Sequence, residues 1–334
     1  MASSSLRAII SYAANVVSQL PFSGNGNGLS ASFNVRPSSS FYEPLSGAPS
    51  CPFDGPMSCH NSTPVAGEDS CCFVYPGGRI LLTQFWDREV YAVGAEEDWT
   101  LHGLWPDLCD GTYDQFCHMT PRYENVTAVL EQQGQHQLLE FMDRFWLASS
   151  GPNSQLWNHE FNKHATCINT LAPSCYGSGS STGGKDDKDS SSSSGAQRYT
   201  PGAEVVDYFT RASALFNTLD TYSALRKAGI VPQARKHYPL ADVQKALEIY
   251  SGGRVVLRCT GGRRRDVLHE AWYVYYVKGS LQTGEFVPAQ HLGREEEAGN
   301  CAPWVRYLPK KGVAGEGEEE DEELEEFLGD NDDL

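Results

Sequence analysis

The sequence predicts an α+β fold, a single disulfide-rich domain with a central, mostly antiparallel sheet flanked by helices. Segments with strand character and segments with helical periodicity fall into separate runs instead of alternating, which is typical of helices packed on an antiparallel sheet. Ten cysteines, an even number, indicate a domain held together by disulfides. Once three low-complexity stretches are set aside, the 334-residue chain is long enough for one globular domain.

The predicted domain spans residues 51–312. Two low-complexity segments flank it, and a third is inserted in it. Residues 1–50 form a leader and low-complexity segment, in which Arg7 precedes only a modest apolar run. Residues 177–198, inside the domain, are a Ser-rich insertion that we expect to be flexible. Residues 313–334 carry a run of Glu and Asp, and we expect a disordered, solubilising tail, with partner binding as the alternative.

The net charge of −17 is concentrated in the acidic tail, which holds twelve of the 43 acidic residues. The rest of the chain is only mildly acidic, so its overall field would not attract nucleic acid. A local cluster of cations would therefore have to hold any anionic substrate. No stretch approaches the roughly 18 apolar residues that a membrane-spanning helix needs, so we expect no membrane span.

Hydrophobic periodicity and turn residues place the elements in order. An apolar run after the turn Pro76-Gly77-Gly78 predicts a strand, and a second strand ends at Trp105-Pro106. Apolar residues at helical spacing then predict four helices, and two further strands follow. The predicted strands are Arg79–Trp86, Trp99–Leu104, Arg254–Cys259 and Val267–Val277, and the predicted helices are Leu138–Leu147, Ser154–Ile168, Ala203–Ala228 and Leu240–Tyr250.

The cysteines indicate an oxidising compartment, because none has the C-x-x-C spacing of a zinc ribbon. Adjacent Cys71 and Cys72 suit two separate disulfides. Sequons at Asn61 and Asn125 agree with glycosylation in the secretory pathway, and we expect the protein in a vacuole lumen or outside the cell. Spacing alone leaves the connectivity open among Cys51, Cys59, Cys71, Cys72, Cys109, Cys117, Cys167, Cys175, Cys259 and Cys301.

The segment Asn158–Cys167, N-H-E-F-N-K-H-A-T-C, begins like the zinc-protease motif H-E-x-x-H and then departs from it. The fifth position is Lys163, whose ammonium cannot bind zinc, and the second histidine comes one residue late. On a helix, His159, Glu160, Lys163 and His164 fit within an arc of roughly 140°. An amphipathic helix with a solvated polar face is the alternative, but this set on a covered face would be costly unless an anion neutralises it.

The segment Asp98–Asp107, D-W-T-L-H-G-L-W-P-D, places His102 in a strand with apolar neighbours. A lone histidine in such a strand is more often a structural hydrogen-bonding residue. Gly103 permits close approach of another group to the backbone. Stacking faces and an acceptor are offered nearby by Trp105, Asp107 and Tyr113.

Together the two segments supply three imidazoles and a lysine, but no serine or cysteine in a nucleophile setting. This inventory suits phosphodiester cleavage by acid–base catalysis, in which one imidazole removes a proton and another protonates the leaving oxygen. Cations would hold the charged phosphorane. RNA carries its own nucleophile, the 2′-hydroxyl, which explains why the protein need not supply one.

The segments W-T-L-H-G-L-W-P-D-L-C and L-W-N-H-E-F-N-K-H-A-T-C resemble the two active-site segments of the ribonuclease T2 family, the secreted or vacuolar acid ribonucleases. The likeness covers about Cys51 to Tyr307. It implies that His164 is the base on the 2′-hydroxyl and His102 the acid at the 5′-oxygen. It further implies that Glu160 and Lys163 stabilise the pentavalent state, that His159 binds phosphate, and that Trp105, Asp107 and Tyr113 bind a base. The implied disulfides are Cys51–Cys72, Cys59–Cys109, Cys71–Cys175, Cys117–Cys167 and Cys259–Cys301.

The resemblance implies a monomeric endoribonuclease of the lyase class that needs no metal or cofactor. It would cleave single-stranded RNA to 2′,3′-cyclic phosphates and then 3′-phosphates, with low base specificity. Leu156 and Ala165 depart from the family's usual Phe and Gly, and neither is an acid–base residue. Two other hypotheses are an inactive RNA-binding or storage protein on the same fold, which the intact acid–base set disfavours, and a secreted metalloenzyme, which Lys163 disfavours. Cleavage of RNA in the presence of a chelator separates the three.

Overall fold

A computed structural model describes residues 47–52, 54–60, 70–88, 94–177, 199–291 and 299–311. Seven strands in these residues form one sheet: β1 (Arg79–Phe85), β2 (Thr100–Asp107), β3 (His237–Pro239), β4 (Val255–Thr260), β5 (Val267–Lys278), β6 (Glu285–Pro288) and β7 (Trp304–Arg306). The α-helices are α1 (Val126–Gln132), α2 (His136–Phe145), α3 (Asn153–Lys163), α4 (Ala203–Asn217), α5 (Thr221–Lys227) and α6 (Leu240–Ser251). Short 3-10 turns lie at Ser70–Cys72, Ala165–Cys167, Asn169–Leu171 and Pro173–Cys175.

The sheet is built around β5. Its strand order is β2-β1-β5-β7-β3, and β4 and β6 also pair with β5. The strands pair antiparallel except β5 with β7, which run parallel where Val267 meets Arg306. The predicted α+β class, with a mostly antiparallel sheet flanked by helices, is confirmed.

One face of the sheet packs against the helices in a largely aromatic core. Trp146, directly after α2, is buried and donates its indole N–H to the carbonyl oxygen of His102 at 2.7 Å. Tyr208 of α4 is also buried and donates its hydroxyl to the carbonyl oxygen of Leu104 at 3.0 Å. Buried indole and phenol groups usually find such partners. Here these bonds fix the backbone of β2 against the helices.

Alternate residues of the central strands point to the other face of the sheet, because side chains alternate along a strand. They form a second, smaller cluster with large aromatic residues packed on it. Its buried members are Leu81, Val256, Val274 and Ala289, and Trp105, Trp272 and Tyr276 pack against them. This second face carries the candidate site.

The stretch from Ala203 to Ala228 is helical as predicted, and it is divided into two helices, α4 and α5. The side chain of Asp220 accepts a hydrogen bond from the backbone N–H of Ser223 at 3.0 Å and so begins α5. A capping residue competes with continuous helix by satisfying the free backbone donors of a new first turn. The short elements α1, β3, β6 and β7 were not predicted from the sequence.

Five disulfides cross-link the domain, and all ten cysteines are paired. The pairs are those that the family resemblance implies: Cys51–Cys72, Cys59–Cys109, Cys71–Cys175, Cys117–Cys167 and Cys259–Cys301. Cys109 follows β2 and Cys167 follows α3, so two of the bridges anchor the segments that carry the candidate site.

The remaining predicted features lie either at the surface or outside the residues that the structure describes. The leader, the Asn61 sequon, the Ser-rich insertion from residue 178 and the acidic tail lie outside the described residues. Asn125 is exposed and begins α1, where its side chain accepts a hydrogen bond from the N–H of Ala128 at 3.0 Å. Within the described ranges, no helix has the length and apolar character to cross a membrane.

Candidate active site

A β-bulge in β2 turns His102 toward the second face of the sheet. Gly103 and Leu101 pair with consecutive residues of β1, so His102 is the extra residue between them. Leu101 is buried in the aromatic core, whereas the ring of His102 stacks on Phe85 and meets the edge of Trp105. Bulges commonly re-aim a side chain next to an active site. Without this bulge, the alternation of the strand would point His102 away from Trp105.

Gly103 lies directly beneath α3. A Cβ atom at this position would lie 1.9 Å from Oε2 of Glu160 and 2.5 Å from Nε1 of Trp105. No side chain fits there, which is the close approach that the sequence predicts for this glycine. The contact lets a carboxyl group from α3 reach the surface of the sheet.

Glu160 is fully buried at the centre of the site. Trp105 donates its indole N–H to Oε2 of Glu160 at 2.7 Å. Nε2 of His102 is 3.8 Å from Oε1, and Nε2 of His164 is 3.9 Å from Oε2. Oε1 has no hydrogen-bond partner in the part of the chain that the structure describes. Two imidazoles therefore converge on one carboxyl group whose position is fixed by an indole.

The end of α3 places His164 beside Glu160. The helix ends at Lys163 rather than at Ile168, so its predicted length was wrong, and a 3-10 turn follows. Thr166 contributes to this end by donating its hydroxyl to a backbone oxygen of the helix at 2.8 Å. His164 still lies one turn from Glu160 and stacks on Trp105, with ring centroids 5.0 Å apart.

Burial shifts the pKa values of these groups in the direction that favours their neutral forms. Removal from water, reinforced by positive neighbours, lowers the pKa of His102 to about 3 and that of His164 to about 2. Burial raises the pKa of Glu160 to about 8, against the hydrogen bond from Trp105 and the charge of Lys163. Near neutral pH both imidazoles are therefore neutral and the carboxyl is protonated. An anion placed among them would favour the imidazolium forms.

His159 and Lys163 lie on the same helix, next to this buried group. His159 is exposed, and its ring centroid is 6.3 Å from that of His164 and 6.2 Å from that of Phe116. Lys163 is half-buried. Burial and the charge of Lys163 lower the pKa of His159. The helix therefore presents a cation and an exposed imidazole beside the two buried imidazoles.

The three residues predicted to bind a base differ in their surroundings. Trp105 is half-buried, with His164 against one face of its ring and Trp272 at 5.3 Å in an edge contact. Asp107 and Tyr113 lie at the end of β2, joined by a backbone bridge. Tyr113 is 63% exposed and so presents an open aromatic face. The site thus has a half-buried indole at its centre and an exposed phenol at its edge.

A group of side chains on β4 and β5 also lines the site and was not predicted from the sequence. Oε2 of Glu270 lies 4.0 Å from Nδ1 of His102, and Trp272 donates its indole N–H to the same oxygen. His269 lies beside Glu270, and the guanidinium of Arg258 lies 4.9 Å over the ring of Trp272. The available signal was the two-residue period, which puts Glu270 and Trp272 on one face of a strand.

One described group could also hold a metal ion by its geometry. Ligand atoms of His159, Glu160 and His164 lie within 4.8 Å of one another. Lys163 shares this helix end, and its charge would repel a cation at that point. One carboxyl oxygen of Glu160 is already the acceptor for Trp105. The group therefore suits a bound anion better than a bound cation.

Comparison with known proteins shows one consistent likeness. The family model described as "Ribonuclease T2 family" matches residues 77–289. Ribonuclease T2 of Aspergillus oryzae is 44% identical over 264 residues, which cover 79% of this chain and 85% of that protein. Ribonuclease Trv of Hypocrea rufa is 41% identical over 261 residues, which cover 78% of this chain and 98% of that protein.

A longer relative and a solved structure extend the comparison. A ribonuclease T2-like protein of Aspergillus fumigatus is 43% identical over 256 residues, which cover 76% of this chain and 55% of that protein. The crystal structure of Actibind, described as a T2 ribonuclease, is 38% identical with a TM-score of 0.66. That match covers 78% of this chain and 98% of the other.

Proposed function

The chain belongs to the ribonuclease T2 family, and from this premise we propose that it is an endoribonuclease that cleaves single-stranded RNA without a metal ion or cofactor. The products are 2′,3′-cyclic phosphates and then 3′-phosphates, which makes the first step a lyase reaction. One observation carries the proposal. The Nε2 atoms of His102 and His164 lie 3.8 and 3.9 Å from the carboxyl group of buried Glu160, beside a lysine.

In the first step, Nε2 of His164 takes the proton of the 2′-hydroxyl, and the 2′-oxygen forms a bond to phosphorus. Nε2 of His102 gives its proton to the 5′-oxygen as the bond from phosphorus to that oxygen breaks. Hydrolysis of the cyclic phosphate reverses the two roles, with water in place of the 5′-hydroxyl. Each residue thus returns to its starting protonation state over the two steps.

The remaining residues hold the charge and the bases. Lys163 and a protonated Glu160 face the phosphorane oxygens, where charge grows in the transition state. His159, on the exposed side of α3, binds phosphate. Tyr113 stacks on a base and Asp107 accepts a hydrogen bond from it, with Trp105 completing that pocket. Because stacking tolerates every base, we propose low base specificity.

The proposal extends to where the protein acts. Five disulfides favour an oxidising compartment, and we propose that the protein acts as a monomer in a vacuole lumen or outside the cell. Exposed Asn125 is the described candidate for a glycan.

The experiment is cleavage of a dinucleotide and of long RNA in excess chelator, with the products identified by mass spectrometry. We expect a cyclic phosphate that precedes the 3′-phosphate. RNA that is bound but never cleaved would show the inactive binding protein. Activity that disappears with chelator and returns with a metal would show a metalloenzyme.

A further inference from the structure

Glu270 approaches the imidazole of His102 at the ring nitrogen that does not face Glu160. Its Oε2 is 4.0 Å from Nδ1 of His102, and its Oε1 is 3.9 Å from Nε2 of His269. The Glu270 side chain is only 15% exposed. Nδ1 of His102 is buried without a hydrogen-bond partner among the described residues. A buried ring nitrogen that needs a partner therefore faces a buried carboxyl group.

The two carboxyl groups beside His102 are held in the same way. Trp105 donates its indole N–H to Glu160, and Trp272 donates its indole N–H to Glu270. The two indoles contact each other, with ring centroids 5.3 Å apart. The result is a row of alternating imidazoles and carboxyls with successive atoms 3.8 to 4.0 Å apart: His164, Glu160, His102, Glu270 and His269.

We propose that Glu270 is a positioning residue for His102, which orients the Nδ1–H toward β5 and stabilises the imidazolium that delivers its Nε2 proton to the leaving oxygen. This inference rests on the proposed function, in which His102 is the acid. The separation of 4.0 Å exceeds a hydrogen bond, and contacts of this kind tighten when substrate binds. Residues that orient a catalytic histidine through its second nitrogen fix both its tautomer and its direction.

The charged groups around His102 determine whether Glu270 raises or lowers the pKa of this histidine. The charged and titratable groups around His102 come from three parts of the fold: His159, Glu160 and Lys163 of α3 with His164 directly after it, His269 and Glu270 of β5, and Arg258 of β4. Burial, His269, His159 and Lys163 lower the pKa of His102, in that order. A carboxylate at this distance acts in the opposite direction, because it favours the charged imidazole.

The pKa of Glu270 is itself raised by burial, while the bond from Trp272 and the charges of His269 and Arg258 act to lower it. The support that Glu270 gives to His102 is therefore present above the pKa of this carboxyl. It is lost as the pH falls through that value, so His102 is titrated with phosphate bound, which raises the pKa of His102 toward the range in which Glu270 is charged.

The test uses Glu270→Gln, which keeps the shape of the side chain and removes its charge. The matched control is Glu248→Gln in α6, a carboxylate whose side chain is 22% exposed and which pairs at 2.9 Å with Arg254, the residue before β4. The pKa of His102 is measured by NMR in saturating inorganic phosphate, which favours the imidazolium form. The pH profile of kcat on a dinucleotide is recorded in parallel, because kcat reports the groups with the substrate phosphate bound.

We expect Glu270→Gln to lower the pKa of His102 in the phosphate complex by about one unit and to move the alkaline limb of kcat to lower pH by a similar amount. That shift corresponds to about a tenfold loss on the limb. Glu248→Gln should move neither.

An unchanged His102 titration in folded Glu270→Gln, or an equal loss of activity at every pH, would overturn the proposal. If Glu270→Gln does not fold, Trp272→Phe decides in its place, since it frees the carboxyl and keeps an aromatic ring. A lowered pKa of His102 in that variant supports the proposal, and an unchanged one overturns it. If the wild-type protein does not cleave RNA, the proposed function fails, while the NMR titration still decides the role of Glu270.

Discussion

Replacing Gly103 with alanine tests how the contact between β2 and α3 holds the carboxyl group of Glu160. The new Cβ would lie 1.9 Å from Oε2 of Glu160. Non-bonded heavy atoms need about 3.5 Å, so the carboxyl must move by about 1.5 Å. This movement breaks the 2.7 Å hydrogen bond from Trp105 and changes the distances from Glu160 to both imidazoles.

The size of the effect follows from these displacements. A buried polar group that loses its hydrogen bond costs about 1–3 kcal/mol of folding free energy. A misplacement of about 1 Å in a catalytic site lowers the rate by about 10²-fold. We therefore expect Gly103→Ala to lower kcat/KM on a dinucleotide by about 10²-fold, with a fall of a few degrees in the thermal midpoint measured by circular dichroism.

The control is Gly134→Ala, in the loop between α1 and α2. Gly134 has φ +69°, which alanine rarely adopts, and no heavy atom lies within 4 Å of the Cβ position. This variant should lose stability and keep its activity. If Gly103→Ala kept more than a third of the wild-type kcat/KM, or if Gly134→Ala lost as much activity, the contact with Glu160 would not be the cause.

Four further predictions concern the acid–base pair, the pH profile, the disulfides and the tail. His102→Ala and His164→Ala should each lower turnover by about 10²–10⁴-fold with the fold intact, and more than a tenth of wild-type turnover in either would contradict the assignment. Because burial lowers both pKa values, to about 3 and about 2, the bell of kcat/KM should have its optimum on the acid side of the usual histidine value near 6.5; a rate that climbs steadily through pH 8 would contradict this. Alkylation without reductant should label no cysteine, and loss of one bridge should cost about 2–5 kcal/mol by denaturant unfolding, so labelling of most cysteines would exclude the paired state. Deleting residues 315–334 should leave turnover on short RNA unchanged and strengthen binding of long RNA at low salt, since an anionic segment repels phosphate; a large loss of thermal stability would show instead that the tail packs on the domain.

The sequence was sufficient to identify which residue types gather around Glu160, but not how they are held. His102 by itself was not distinctive, since a lone histidine in an apolar strand is more often structural, and it was selected because its segment and that of Glu160 together resemble the active-site segments of one family. Its direction depends on a bulge, which arises from pairing with β1 and has no signature in the alternation of β2 itself. The hydrogen bond from Trp105 to Glu160 likewise joins residues 55 positions apart and depends on how α3 crosses the sheet.

Glu270 shows a different limit of sequence reading. The strand from Val267 to Val277 was predicted correctly from its aromatic and branched residues. Its two-residue period places Glu270 and Trp272 on one face, but the period does not say which face carries the site. That information comes from the order of strands in the sheet, where β5 lies beside β1 and brings Glu270 opposite Phe85, on which His102 stacks. A strand residue such as Glu270 can be identified as part of the site only after the strand order of the sheet is known.

The burial of the site explains both its cost in folding free energy and the acidic pH range in which we expect it to act. Nδ1 of His102 and Oε1 of Glu160 are buried without hydrogen-bond partners in the described part of the chain, and such groups destabilise a fold. The bridges at Cys109 and Cys167 and the bond from Trp146 to His102 offset this cost by fixing the backbone on both sides. Fixed polar groups in a dry site interact strongly with charge that develops on the phosphorane. The same desolvation keeps both imidazoles neutral, so the proton that His102 must deliver is most available from acidic solution.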